Sequence, residues 1–123
     1  MPKRSSSFDF RKPVAYDAEA KRAFHRHARR RLKQLADALS LSPGAYDLRS
    51  NLAGIAVSGE VTMHADHVYV QACQPATGHD TGLMFRTCQG RKDYHGGPNH
   101  FASLDLLNRP DDLARRIRET CRV

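Results

Sequence analysis

Residues 55–64 read IAVSGEVTMH, and the fold turns on how this run is read. Ile55, Val57, Gly59, Val61 and Met63 alternate with Ala56, Ser58, Glu60, Thr62 and His64. A strict period of two predicts a strand with one buried face. Gly59 in the middle marks either a bulge or a Ser58-Gly59 turn that would split the run into a tight hairpin. One bent strand is the preferred expectation. Ala65-Asp66 turns the chain into a partner strand over Val68–Cys73, and LMFRTC (83–88) supplies another after the loop QPATGHDTG. Ala45–Arg49 adds a short strand ahead of the run. Successive strands joined by short turns predict an antiparallel meander with one face left for helices.

Helices flank the meander. Over residues 17–41, Phe24, Ala28, Leu32, Leu35 and Leu39 recur at helical spacing and form one apolar stripe. Asp17 stands where an N-cap belongs and Pro43-Gly44 where the helix must stop. At the other end Pro110, Asp111 and Asp112 open a helix whose inner face is Leu113, Ile117 and Cys121. Leu104–Leu107 reads as a short helical turn. The expected fold is α+β: a long N-terminal helix, a three- to four-stranded antiparallel meander and a C-terminal helix. Residues 1–14 read as a flexible basic arm anchored only by Phe8 and Phe10, and 15–123 as a single domain.

Charge is unevenly placed. Residues 1–34 hold eleven Lys or Arg against three acids, a balance of +8, whereas 35–123 balance at −1. On the helix, Arg22, Arg26, Arg29 and Lys33 recur opposite the apolar stripe, with Arg30 beside them. Steps of three and four residues place such cations in one line, roughly 5–6 Å apart along the axis. A basic arm and helix on a near-neutral body predict an anionic partner. Nucleic acid, DNA or RNA, is the first expectation. A protein partner or a homodimer is the second. No apolar run approaches the roughly 18 residues that span a bilayer, so no membrane is expected. The N-terminus has charges without a following apolar stretch, which predicts a cytoplasmic location.

One loop is chemically dense. Residues 86–100 hold Arg86, Arg91, Lys92, Asp93, Tyr94, His95, Asn99 and His100 around a Gly96-Gly97-Pro98 corner. Arg91 and Lys92 would add phosphate contacts to those of the helix. Arg86, Asp93, Tyr94, His95, Asn99 and His100 form an expected ligand or partner loop. Tyr94, His95 and His100 also suit acid–base work on a phosphate, but no spacing marks them as catalytic, and no catalytic residue is assigned. Cys73, Cys88, His95 and His100 lack the close cysteine pair of structural zinc sites. Neither a metal nor a cofactor is expected, since Walker, dinucleotide, GxSxG and HExxH patterns are absent. Three cysteines, an odd number, argue against a disulfide framework.

The runs YDLRSNLAGIAVSGEVTMHADHVYVQ (46–71) and RTCQGRKDYHGGPNHFASLDLLN (86–108) resemble a group of small uncharacterised proteins of proteobacterial integrative and conjugative elements. The resemblance covers roughly residues 45–110. It implies a mobile-element accessory protein and transfers no catalytic residue. The helix–strands–helix order is also that of double-stranded-RNA-binding domains. Their Lys-rich loop leading into a helix is missing here, because Pro98 interrupts GRKDYHGGPNH.

Overall fold

The computed structural model describes residues 7–75 and 81–122. Helix α1 spans Ala18–Ala38, and the Asp17 side chain accepts from the Ala20 amide at 3.0 Å. Phe24, Ala28, Leu32 and Leu35 are fully buried along its inner face. A 3-10 turn at Pro43–Ala45 leads into the sheet. The strands are β1 (Tyr46–Asn51), β2 (Glu60–Ala65), β3 (Val68–Ala72), β4 (Leu83–Thr87) and β5 (His100–Ala102). They lie in sequence order, every pair antiparallel. A second 3-10 turn, Leu104–Asn108, precedes helix α2, Pro110–Cys121. The α+β class with an antiparallel meander therefore stands, with five strands rather than three or four. The fifth is three residues long, too short to show a period inside a polar stretch.

Both helices pack on one face. Val61, Met63, Ala65, Val68, Val70, Ala72, Leu83, Phe85 and Ala102 point into a core completed by α1, α2 and the second 3-10 turn. In register, Leu48 faces Met63, Met63 faces Val70 and Val70 faces Phe85. The other face carries Asp47, Arg49, His64, Tyr69 and Arg86, by strand alternation.

Two expectations are corrected. The strand over 55–64 begins only at Glu60. β1 and β2 pair out to Asn51 opposite Glu60, which leaves 52–59 as their connection. Gly59 adopts φ +70°, and a side chain there would run into the carbonyls of Asn51 and Leu52. The apolar residues at 55 and 57 consequently face solvent, with Ile55 65% and Val57 48% exposed.

The second correction concerns the arm. Residues 8–14 belong to the packed body. Phe10 is fully buried, with its ring 6.0 Å from that of Phe24, and Val14 is buried beside it. Asn108 accepts from the Phe8 amide and donates to the Phe8 carbonyl. Gln74 Nε2 donates to the carbonyls of Phe10 and Lys12. Residues 1–6 of the expected arm, and 76–80 of the QPATGHDTG loop, lie outside the described residues.

Candidate nucleic-acid interface

The helix sorts its cations by face. Lys21 and Arg31 are buried, while Arg22, Arg26, Arg30 and Lys33 are exposed and Arg29 is half-exposed. Lys21 Nζ donates to the Gly54 carbonyl at 2.6 Å, and Arg31 donates to Gln34 Oε1. Arg29 donates to Ser50 Oγ at 3.2 Å, which fixes the outer stripe alongside edge strand β1. From Arg22 to Lys33 the stripe runs about 16 Å at 1.5 Å per residue. Among the described residues, no ion pair joins an acid to Arg22, Arg26, Arg29 or Lys33.

Neither α1 histidine lies in the outer stripe. His25 is buried with Nε2 2.8 Å from the Ser58 carbonyl. His27 stacks on Phe8 at 4.1 Å between ring centroids. Desolvation, followed by the charges of Arg30, Arg26 and Arg31, lowers the His27 pKa below the usual value. The neutral ring is the favoured form.

The dense loop is tied down rather than open. Arg86 is not in it: the residue belongs to β4, is buried, and lies with its guanidinium carbon 4.4 Å from the centroid of the Tyr69 ring. Asp93 accepts from the amides of Gln89, His95 and Gly96 at 2.9–3.0 Å. Those three bonds, the Gly96 amide foremost, hold its pKa down to about 2. Arg91 reaches Asp66 at 3.2 Å, Asp47 at 3.5 Å and the Gly44 carbonyl at 2.6 Å. Its guanidinium therefore clasps the loop to β1 and to the β2–β3 turn, which removes it from the set of free phosphate contacts. Lys92 remains exposed.

Tyr94 folds over the outer sheet face, 5.3 Å from the ring of fully buried His64. His64 Nε2 donates to the Gly90 carbonyl at 2.9 Å. This cover explains why β2 is buried on both faces, where alternation predicts one. Beside Tyr94, a cleft of about 320 Å³ opens between Arg49, Thr62 and Tyr69. His100 instead belongs to β5, with its ring 5.7 Å from core residue Phe85. Tyr94 and His100 thus occupy opposite faces of the sheet, and the trio Tyr94, His95 and His100 does not converge. Asn99 and His95 are exposed.

Among the described residues, no group of three or more His, Cys, Asp or Glu is placed to hold a metal ion. All three cysteines are free thiols, and burial raises the pKa of each. Cys73 and Cys121 are only half-buried, less so than their apolar surroundings in the sequence predict, whereas Cys88 is buried and donates to the Ala65 carbonyl. No described helix is long and apolar enough to cross a membrane. No family model, curated protein or solved structure matches this chain.

Sequence reasoning missed one group of surface residues. Tyr16, Leu52, Ile55 and Val57 are all exposed and lie around the N-terminal half of α1. The available signal was Gly54 and Gly59 bracketing the segment, since paired glycines mark irregular backbone as readily as a bulge.

Proposed function

We propose that this chain is a small basic nucleic-acid-binding accessory protein of a mobile genetic element. It grips phosphates through the outer stripe of α1, helped by the basic N-terminal segment before it. The observation that carries this reading is the contrast between the two helices. At α2, Arg115 and the N-cap residue Arg109 both engage Asp112, and Asp111 and Glu119 add negative charge. Mixed signs of that kind suit a solvated face. The stripe Arg22, Arg26, Arg29 and Lys33 has no acid partner among the described residues, and a row of cations without countercharges suits a polyanion. The mobile-element setting rests on the sequence resemblance.

Binding to duplex DNA and to RNA, followed against rising salt, tests the reading. Each phosphate neutralised should add about −0.9 to the slope of log K against log salt on B-DNA. Reversing Arg22, Arg26, Arg29 and Lys33 to Glu should abolish binding. Reversing Arg116 and Arg118 on α2 should leave most of it. Unchanged affinity for both nucleic acids in the α1 variant refutes the proposal.

A second reading, a protein-binding module, draws on the outer sheet face. There Tyr94, 56% exposed, borders the cleft with Arg49 and Thr62. A stoichiometric partner retained at high salt and lost on Tyr94→Ala would favour it.

A further inference from the structure

The β1–β2 connection sets a hydrophobic problem that the core does not solve. Residues 52–58, LAGIAVS, contain no charge, and Leu52, Ile55 and Val57 are 47%, 65% and 48% exposed. The segment is nevertheless firmly held. Lys21 Nζ donates to the Gly54 carbonyl, the Tyr16 amide donates to the Ile55 carbonyl at 2.8 Å, and His25 meets the Ser58 carbonyl. Two of these anchors are buried polar side chains of α1. A loop exposed by accident does not require such fixation. Exposed apolar residues gathered on a rigid support mark a contact surface.

The position of the patch indicates the occupant. Leu52 and Ile55 line one shallow cavity of about 270 Å³ together with Arg22. Arg29 reaches Ser50, two residues before Leu52. The aliphatic patch is therefore continuous with the cationic stripe. Phosphate-binding cations beside exposed aliphatic side chains are the components of proteins that wedge base steps open from the minor groove. Single-stranded nucleic acid is instead gripped on aromatic platforms, and Tyr16 is the lone aromatic among these exposed side chains. Double-stranded RNA is recognised by shape and 2′-hydroxyl contacts, for which the 52–58 loop itself offers only the Ser58 side chain, which is buried.

We infer that the 52–58 loop is a wedge that enters duplex DNA, with Ile55 and Val57 unstacking a base step while Arg22 and Arg26 hold the adjoining phosphates. This rests on the phosphate-binding reading above and narrows it to bent duplex DNA. The aliphatic tips are presented in one fixed attitude, so little ordering is needed on contact. Flexible pyrimidine–purine steps are the preferred sites, because they kink most easily.

The test uses the full chain and a duplex of roughly 25 base pairs, a length suited to measuring a bend, with a donor and an acceptor dye at its ends. Binding should raise energy transfer between the ends. Ile55→Ser combined with Val57→Ser should abolish that rise, keep the salt slope, and weaken binding by less than about tenfold, or 1.4 kcal/mol. Ile55→Leu should keep the bend. A duplex that is bound but remains straight overturns the wedge and spares the phosphate-binding reading. The same holds if the double Ser variant bends DNA as the parent does. Capture by phosphatidylserine vesicles, or a dimer in light scattering, that disappears in the double Ser variant while bound DNA stays straight reassigns the patch and overturns the wedge. Failure to bind any DNA duplex at low salt overturns the wedge, and failure to bind RNA as well removes both readings.

Discussion

Lys21 Nζ donates to the Gly54 carbonyl at 2.6 Å, so one of the helix's cations is turned inward to fix a loop. Lys21→Met keeps most of the aliphatic stem and removes this bond. Hydrogen bonds to charged groups contribute about 1.5–3 kcal/mol, and a stability loss of that order is expected in urea unfolding. Amide exchange should accelerate across 52–58 while the β2–β3 pair stays protected. Unchanged exchange in the loop would show that Lys21 does not anchor it.

Phe10 provides the clearest test of the N-terminal segment. It is fully buried against Phe24 and within the main core cluster. Phe→Ala in such a site costs about 3–5 kcal/mol. Phe10→Ala should therefore lower the thermal midpoint sharply, whereas the same change in a free arm would leave it in place.

Arg26 and Arg91 should separate recognition from architecture. Arg26 is exposed and has no acid partner among the described residues, while Arg91 is bound to Asp47, Asp66 and the Gly44 carbonyl. Arg26→Ala should reduce the salt slope of DNA binding by about 0.9 with unchanged stability. Arg91→Ala should loosen residues 88–97 in hydrogen exchange with little change in slope. The opposite pattern would move the interface to the loop.

Asp93 makes the loop acid-sensitive. Its pKa is lowered from 3.8 to about 2, so the stabilisation it provides is complete above the unfolded value and fades as pH falls from near 4 towards 2. In that window the Gln89, His95 and Gly96 amides should lose protection before the β2–β3 pair does. Asp93→Asn should show the loosened loop already at pH 7. Simultaneous loss of protection in loop and sheet would contradict a local role.

His64 acts at milder pH. Desolvation first, then the charges of Arg49 and Arg86, lower its pKa, against opposing effects from the Gly90 carbonyl and Asp47. A depressed histidine means the unfolded chain binds the proton more readily. Its contribution is complete above about pH 6.5 and declines as pH falls through the folded value. His27 shifts in the same direction. The thermal midpoint should drop between pH 7.5 and 5, and His64→Gln should flatten that drop while lowering the midpoint at pH 7.5. An equal slope in the variant would exclude His64 as a source.

The two helices and three of the strands were legible because their signals are local. Asp17, the Phe24–Leu35 stripe, Pro110 and the apolar runs at 68–72 and 83–87 all act through periodicity or capping within a few residues. The candidate site was legible in part. The α1 stripe follows from helical spacing alone. The dense loop was recognisable as unusual, but its role was not. Arg91 meets Asp47 and Asp66, 44 and 25 positions away, and nothing in the local pattern reveals such pairing. The 55–64 run misled because alternation reports only that a strand would fit there. Gly59 in a left-handed conformation and the Asn51–Glu60 register decide otherwise.

By itself, the sequence determined where the helices start, the α+β class, the antiparallel order and the line of cations on α1. These depend on bonds and faces repeated every two to four residues. Only the tertiary structure decided that Phe10 enters the core, that Arg91 and Asp93 serve the loop rather than a ligand, and that Ile55 and Val57 stand exposed beside Arg22. Apart from Asp93, whose partners lie within four residues, each depends on contacts between residues 14 to 64 positions apart, where packing and charge pairing override local pattern.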